Sequence, residues 1–280
     1  MKNNKDIISN KADELFKNNS NKIIKRQIDR YFDALENGKI EYKKYKIGDK
    51  VLLPKGTLIH GTYKNIEGLK EIVKNGLISS DFIDGRHSKY PSCVGVWNLK
   101  KDYYLKDYIN FYSGGTLYIM NNDRSKEKTR VIPFDKMDTI MKELVDDKDC
   151  FRWYLEQTKE ARFMPSLVQD NVQIAVIFNG NNKYIKNLLK GDILNISNVS
   201  DEDVKPFVNE KYYDKFIVDR KNKDDFFTDR ESAVLYGIPS NFIEGVLVGR
   251  RYESDAKILD EIKEILPNVY VCNLNGIIIK

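Results

Sequence analysis

The sequence Thr57-Leu58-Ile59-His60-Gly61-Thr62-Tyr63 is followed directly by a helical pattern that ends near residue 75. The apolar pair Leu58 and Ile59 is typical of a buried strand, and the polar residues after it bring an imidazole, an uncovered backbone and a hydroxyl to the strand's end. Gly76 stands where a helix C-cap is expected. Apolar residues recur at three- and four-residue spacing along one helix face at Ile66, Leu69, Ile72 and Val73. A strand, a polar corner and a short helix are therefore predicted, an arrangement that suits the edge of a ligand-binding site.

Length and composition indicate a folded chain without a membrane span. Its 280 residues are 41% hydrophobic and 11% aromatic, enough for one large domain or a domain with an appendage. No apolar run approaches the length of about 18 residues that a membrane helix needs, and the N-terminus lacks the apolar centre of a secretory signal. Cys93, Cys150 and Cys272 form neither a disulfide nor a zinc pattern. We therefore expect a cytoplasmic protein, with signal-less export left open.

The net charge of +5 is carried by the N-terminal part of the chain. Residues 1–46 hold 12 Lys and Arg against 7 Asp and Glu, and the remaining residues balance at 35 against 35. Apolar residues recur at helical spacing from Ile7 to Leu35, so we expect residues 1–46 to form a basic helical extension and residues 47–280 to form the main domain. Such a charge suits nucleic acid or another acidic surface, although an AT-rich genome also encodes many lysines and asparagines.

The rest of the chain alternates many short strand patterns with a few helical ones, which predicts the α+β class. Strands are predicted over 45–53, 93–97, 116–120, 172–178, 216–218, 230–236, 242–248 and 269–279. Helices are predicted over 102–112, 134–145, 151–159, 184–189 and 256–266.

The stretch around His60 resembles the opening of the ADP-ribosyltransferase superfamily, on its poly(ADP-ribose) polymerase and diphtheria-toxin side. The tRNA 2′-phosphotransferases share a similar opening. The resemblance implies a split pair of small β-sheets around an NAD cleft, here with an N-terminal helical extension. It also implies that His60 and Thr62 hold ribose hydroxyls of NAD and that the Gly61 backbone bonds the nicotinamide carboxamide.

A second part of the resemblance lies in Gly95-Val96-Trp97 and the tyrosines that follow. Members of the family carry a Gly-apolar-Tyr-Phe strand and then a tyrosine eleven residues beyond the strand's aromatic. Counted from Trp97, which replaces the family's Tyr, that residue is Tyr108. The resemblance implies that Tyr108, with Tyr63 and Trp97, encloses the nicotinamide ring. Tyr104 and Tyr112 remain alternatives one helical turn away, and all of these tyrosines also suit the edge of a core.

Glu231 opens the strand predicted over 230–236, and the resemblance implies that it is the catalytic carboxylate. Breaking the bond between nicotinamide and ribose develops positive charge on the ribose, and a fixed carboxylate stabilises that charge in the transition state. Glu244 and Glu160 remain alternatives, and a carboxylate at a strand head is often only a solvated end. His60 has a structural alternative too, as a hydrogen-bonded core residue.

Together these features predict a mono-ADP-ribosyltransferase with NAD as substrate and no metal, and a bacterial or phage toxin or defence role is implied by resemblance and composition. The sequence leaves three points open: the macromolecular acceptor (nucleic acid or protein), whether ADP-ribose is transferred or NAD is hydrolysed, and the oligomeric state. A tRNA 2′-phosphotransferase-like enzyme using Arg86, Arg152 and Arg162, or a non-catalytic binding module of the same fold, remain alternatives. The sequence has no metal-ligand set, phosphate loop, dinucleotide fingerprint or nucleophile elbow.

Overall fold

Helices and several β-sheets make up the chain, which confirms the α+β class predicted from the sequence. The computed structural model describes residues 19–62, 64–83, 90–99, 101–107, 115–120, 126–132, 153–157, 173–194, 200–221 and 230–280. Within this part of the chain, no helix is both long enough and apolar enough to cross a membrane.

The secondary-structure elements are numbered here in chain order. The helices are α1 (Asn19–Asn37), α2 (Asn65–Asn75), α3 (Lys183–Leu188), α4 (Asp201–Val204), α5 (Tyr213–Lys221) and α6 (Ala256–Ile265). The strands are β1 (Leu52–Leu53), β2 (Leu58–Thr62), β3 (Leu77–Ile78), β4 (Cys93–Asn98), β5 (Tyr103–Tyr104), β6 (Gly115–Met120), β7 (Lys126–Ile132), β8 (Trp153–Gln157), β9 (Ile174–Phe178), β10 (Arg230–Leu235), β11 (Gly237–Ile238), β12 (Ile243–Val248) and β13 (Tyr270–Cys272).

A six-stranded sheet with the order β10-β4-β2-β9-β12-β13 organises the fold. All of its neighbours are antiparallel except β12 and β13, which are parallel and joined through α6. One row of paired residues crosses the whole sheet through Glu231, Trp97, Ile59, Ile177, Gly245 and Tyr270. A three-stranded sheet (β7-β6-β8) and two two-stranded ladders (β1-β5 and β11-β3) complete the strand pairing of the described residues.

The two faces of the six-stranded sheet bury different amounts of apolar surface. The larger cluster, called the main core, includes Val176, Phe178 and Val246 and is covered by helices, among them α2 and α6. The opposite cluster, called the smaller core, is built around Ile59, Trp97, Ile177, Leu247 and Tyr270. This alternation follows from the two-residue period of a strand, which sends successive side chains to opposite faces.

Helix α1 is part of the main core. Ile24, Ile28 and Tyr31 from the predicted N-terminal stripe are buried there, and the Tyr31 ring meets Tyr236 edge to face at 4.8 Å. The helix ends at Asn37 as predicted, where the Gly38 amide donates to the Ala34 carbonyl. Residues 7–18 of the predicted helix lie outside the described residues, and the domain boundary at residue 46 stays a prediction.

The predictions over residues 45–53 and 102–112 hold only in part. Only Leu52–Leu53 of the first segment is strand, because Gly48, with φ of 93°, turns the chain after residue 47. Those two residues pair with Tyr103–Tyr104, so the second segment begins as a short strand, because tyrosines suit a pleated edge. Residues 105–107, which follow it, are helical as predicted. Residues 108–112 lie outside the described residues.

Three further predictions need correction. The segment predicted as a helix over 151–159 contains strand β8, whose aromatic residues favour a sheet. The strand predicted over 216–218 lies inside helix α5, because so short an apolar run does not distinguish the two structures. The strand predicted over 269–279 stops at Cys272, and a turn with Gly276 at φ 68° follows it. The helix predicted over 134–145 lies outside the described residues.

Candidate active site

Strands β2 and β4 separate soon after they meet, and the opening between them is called the fork. Their register pairs are Leu58 with Asn98 and Ile59 with Trp97, whereas β2 pairs with β9 along its full length from Leu58 to Thr62. Beyond Ile59, β4 continues to pair only with β10 on its other side. The six-stranded sheet is thus divided into a two-stranded part and a four-stranded part that are joined at one end of the fork.

The residues that border the fork are more exposed than the rest of their strands. His60 and Gly61 are the two partly exposed residues of β2, and Gly95 is the one partly exposed residue of β4. Their neighbours Ile59, Val94 and Val96 are buried. The partial exposure of these three residues marks the place where the backbone pairing of β2 and β4 ends.

The His60 imidazole spans the fork and replaces the missing backbone pairing. Its Nδ1 lies 2.8 Å from the Gly95 carbonyl oxygen. A carbonyl oxygen only accepts, so Nδ1 carries the proton and Nε2 of the neutral ring is left as an acceptor. No other hydrogen bond of this ring occurs within the described part of the chain. The site therefore offers one unused acceptor nitrogen beside the partly exposed Gly61 and Gly95.

His60 stays neutral at pH 7 because its pKa is lowered. The residue keeps some exposed surface, but protein atoms surround the ring, and the resulting desolvation lowers the pKa more than the bond to Gly95 raises it. A neutral imidazole is a suitable acceptor for a sugar hydroxyl.

Glu231 and Trp97 lie at the closed end of the fork. Glu231 pairs with Trp97, which pairs with Ile59, so the Glu231 backbone is two strand spacings from β2, about 10 Å. Trp97 is only 7% exposed and packs in the smaller core. The structure thus brings His60, Gly61, Trp97 and the Glu231 backbone into adjacent strands, with Trp97 buried rather than open to a ligand.

Thr62 is held against helix α2 rather than at the open side of the fork. It is 8% exposed, and a Cβ added at Gly68 would overlap its Oγ1. Gly68 therefore allows the helix to approach β2 closely. Seven of the predicted or alternative site residues lie outside the described part of the chain: Tyr63, Tyr108, Tyr112, Glu160, Arg86, Arg152 and Arg162.

Glu244, one of the alternative carboxylates, lies two strands from β2 on the side away from Glu231. The β12–β9 register shifts between Ile243 and Gly245, so Glu244 is the extra residue of a β-bulge. It is 4% exposed, and burial raises the pKa of its carboxyl, an effect that Lys43 partly offsets. Its charge in turn contributes to raising the pKa of Tyr45 and of Tyr270. Glu244 therefore belongs to a tyrosine cluster and not to the fork.

We expect Glu244→Gln to stabilise the protein by about 1 kcal/mol at pH 7.5, because the glutamine side chain has the same size and shape as glutamate and lacks its buried charge. The raised pKa fixes the sign: the cost of ionising Glu244 accumulates as the pH rises from 4.5 through the folded-state value. The gain should therefore disappear below about pH 4, as measured by urea unfolding at both pH values.

Glu264→Gln is the matched control for this change, because Glu264 is exposed on the same half of the chain. Its effect should stay within about 0.5 kcal/mol at both pH values. A Glu244→Gln variant that is less stable than the wild type at pH 7.5 would show instead that the ionised carboxylate is a net stabilising partner of Lys43.

Sequence reasoning found the residues of the fork but not the fork itself. The signals were the stretch around His60 and Gly61 and the motif Gly95-Val96-Trp97, and a glycine inside a strand often marks a close backbone approach. Among the described residues, no group of three or more His, Cys, Asp or Glu side chains could hold a metal ion.

Comparisons of the chain with protein-family models, with curated proteins and with solved structures found no match.

Proposed function

We propose that the protein is a mono-ADP-ribosyltransferase that cleaves NAD and transfers ADP-ribose to a macromolecular acceptor. The observation that carries the proposal is the fork: the three strands whose motifs were chosen from sequence alone, β10, β4 and β2, are neighbours, and β2 and β4 separate beside His60. The division of the sheet at this point is the feature that supports the split-sheet NAD cleft of the superfamily as the fold.

In this proposal the fork binds the nicotinamide end of NAD. The free Nε2 of His60 accepts a hydrogen bond from a ribose hydroxyl, because Nδ1 is already committed to Gly95. Gly61 lacks a side chain and is partly exposed, so the amide group of nicotinamide can approach its backbone. These two contacts fix the sugar and the leaving group relative to the strand row that contains Glu231.

Glu231 is assigned the transition-state role from the family resemblance, and its backbone lies in the row of Trp97 and Ile59, next to His60 in the chain, at the closed end of the fork. The bond from the ribose anomeric carbon to the nicotinamide nitrogen breaks, and its electron pair leaves with neutral nicotinamide. The acceptor's nucleophile attacks the cationic sugar and gives up its proton, to the Glu231 carboxylate or to solvent. A carboxylate near the anomeric carbon stabilises the positive charge more in the transition state than in bound NAD.

The direct test is nicotinamide release from NAD by the purified protein, with no acceptor and then with protein, DNA, RNA and cell lysate in separate reactions. Release that depends on one acceptor class, with ADP-ribose found on that acceptor by mass spectrometry, supports the proposal. Release without any acceptor identifies an NAD hydrolase with the same site. Release only with a 2′-phosphorylated RNA favours the phosphotransferase instead. NAD binding by calorimetry without release in any reaction would leave a non-catalytic module and overturn the proposal.

A further inference from the structure

A second opening lies at the other edge of the sheet, beside β13, and is called the lysine pocket. Its volume is about 470 Å³, within the range of small-ligand sites. It is formed by the segment 42–47, the last turn of α6 with the loop after it, and the end of the chain. The lining residues that carry charge or an aromatic ring are Tyr42, Lys43, Lys44, Tyr45, Lys263, Tyr270 and Lys280.

The lining carries four lysines and no acidic side chain. Lys280 forms an ion pair with Asp260 beside the pocket. Within the described part of the chain, Lys43, Lys44 and Lys263 have no carboxylate at ion-pair distance. The Lys263 ammonium donates to the Val269 carbonyl at 2.6 Å, and burial and repulsion from Lys280 lower its pKa. Buried Glu244 offsets part of the charge of Lys43, and the four lysines still leave an excess of positive charge that an anion would relieve.

Aromatic rings stand among these lysines. Tyr42 is 39% exposed at the rim, while Tyr45 is half-buried and meets Tyr270 edge to face at 4.9 Å. An exposed ring beside ammonium groups matches the two parts of a nucleotide, since a base stacks on an aromatic face and the phosphate pairs with lysine.

We propose that the lysine pocket binds single-stranded nucleic acid, with one nucleotide in the pocket and its neighbours along the segment 42–47. A single strand is favoured over a duplex because the base must be unstacked to reach Tyr42. It is favoured over a membrane surface because the charges border a concavity rather than a protruding apolar face. The proposal stands independently of NAD cleavage, since the pocket and the fork lie at different places along the strand order.

The test uses fluorescence anisotropy with labelled single strands of about 12 nucleotides, DNA and RNA, on the full-length protein. The Lys43→Glu/Lys44→Glu variant should weaken binding at least tenfold and reduce the slope of log Kd against log salt by about 2. Tyr42→Ala should weaken binding about tenfold and leave the salt slope unchanged, because stacking releases no counterions.

Matched controls separate the pocket from general surface charge. Lys74→Glu/Lys190→Glu reverses two exposed lysines that do not line the pocket, and Tyr104→Ala removes a tyrosine that is 53% exposed elsewhere. Both controls should bind within twofold of the wild type. Three outcomes would overturn the proposal. The wild-type protein fails to bind at about 50 mM salt, or the controls lose as much affinity as the pocket variants, or the protein binds duplex DNA or anionic lipid vesicles as tightly as a single strand. Circular dichroism and nicotinamide release, measured on every variant, keep this outcome distinct from failure of the NAD proposal.

Discussion

Glu231→Gln is expected to lower the rate constant of nicotinamide release by about 100- to 1,000-fold, the usual cost of removing one transition-state charge stabiliser. The substitution keeps the size of the side chain and removes its charge. The charge matters only when the ribose becomes cationic, so the affinity for NAD should change little while kcat falls. Single-turnover release of nicotinamide and calorimetric NAD binding measure the two quantities separately.

Glu244→Gln provides the matched control, because Glu244 is also a strand carboxylate but lies two strands beyond β2 on the other side of the fork. Its release rate should stay within about twofold of the wild type. If Glu244→Gln loses activity and Glu231→Gln keeps it, the carboxylate is misassigned while the chemistry stands. If NAD affinity falls in Glu231→Gln to the same extent as the rate, Glu231 holds the substrate rather than its transition state.

Gly180→Ala is expected to destabilise the fold by about 3 kcal/mol, at the upper end of what overpacking costs. A Cβ at this position would overlap the carbonyl oxygen of Gly56, and backbone atoms have little freedom to move aside. The Gly56 amide donates to the Leu99 carbonyl at 2.7 Å, so the turn before β2 is held from both sides. Differential scanning calorimetry should show a fall in Tm of roughly 6 °C or more.

Gly48→Ala separates the steric effect from the general cost of replacing a glycine in a turn. Gly48 has φ of 93° but no heavy atom within 4 Å of an added Cβ, so only the backbone preference is lost, about 1 kcal/mol. Because the Gly56 turn leads into β2, Gly180→Ala should also weaken NAD binding, whereas Gly48→Ala should not. Equal losses of stability in the two variants would mean that the Gly56 contact relaxes without cost.

Local patterns predicted the elements around the fork well. Ile66, Leu69 and Ile72 are buried along one face of α2, and Gly76 at φ 83° donates its amide to the Ile72 carbonyl as a C-cap. These features depend on neighbours within four residues, where periodicity and capping act. The strand Cys93–Asn98 was predicted over residues 93–97 for the same reason, since a short continuous apolar run is typical of a buried strand.

Features that depend on distant partners were not predictable in the same way. The fork exists because β2 stays with β9 while β4 turns away with β10, and no local pattern near His60 records that choice. The segment Tyr42-Lys43-Lys44-Tyr45 shows its charge in the sequence, but the pocket needs Lys263 and Lys280, which only folding brings beside it. Tyr45–Leu53 was assigned to a strand because alternation was weighed without the turn that Gly48 imposes.

The pairing of β2 has a consequence for how the protein forms during translation. Leu58 pairs with Phe178, which is 120 positions later in the chain, and the separation in sequence between β4 and its partner β10 is longer still. At about 5–20 residues per second, a ribosome needs roughly 6 to 24 s between making the two partners of the first pair. During that interval the apolar strand Leu58–Ile59 has no long ladder to join, so we expect nascent chains to depend on chaperones until β9 emerges.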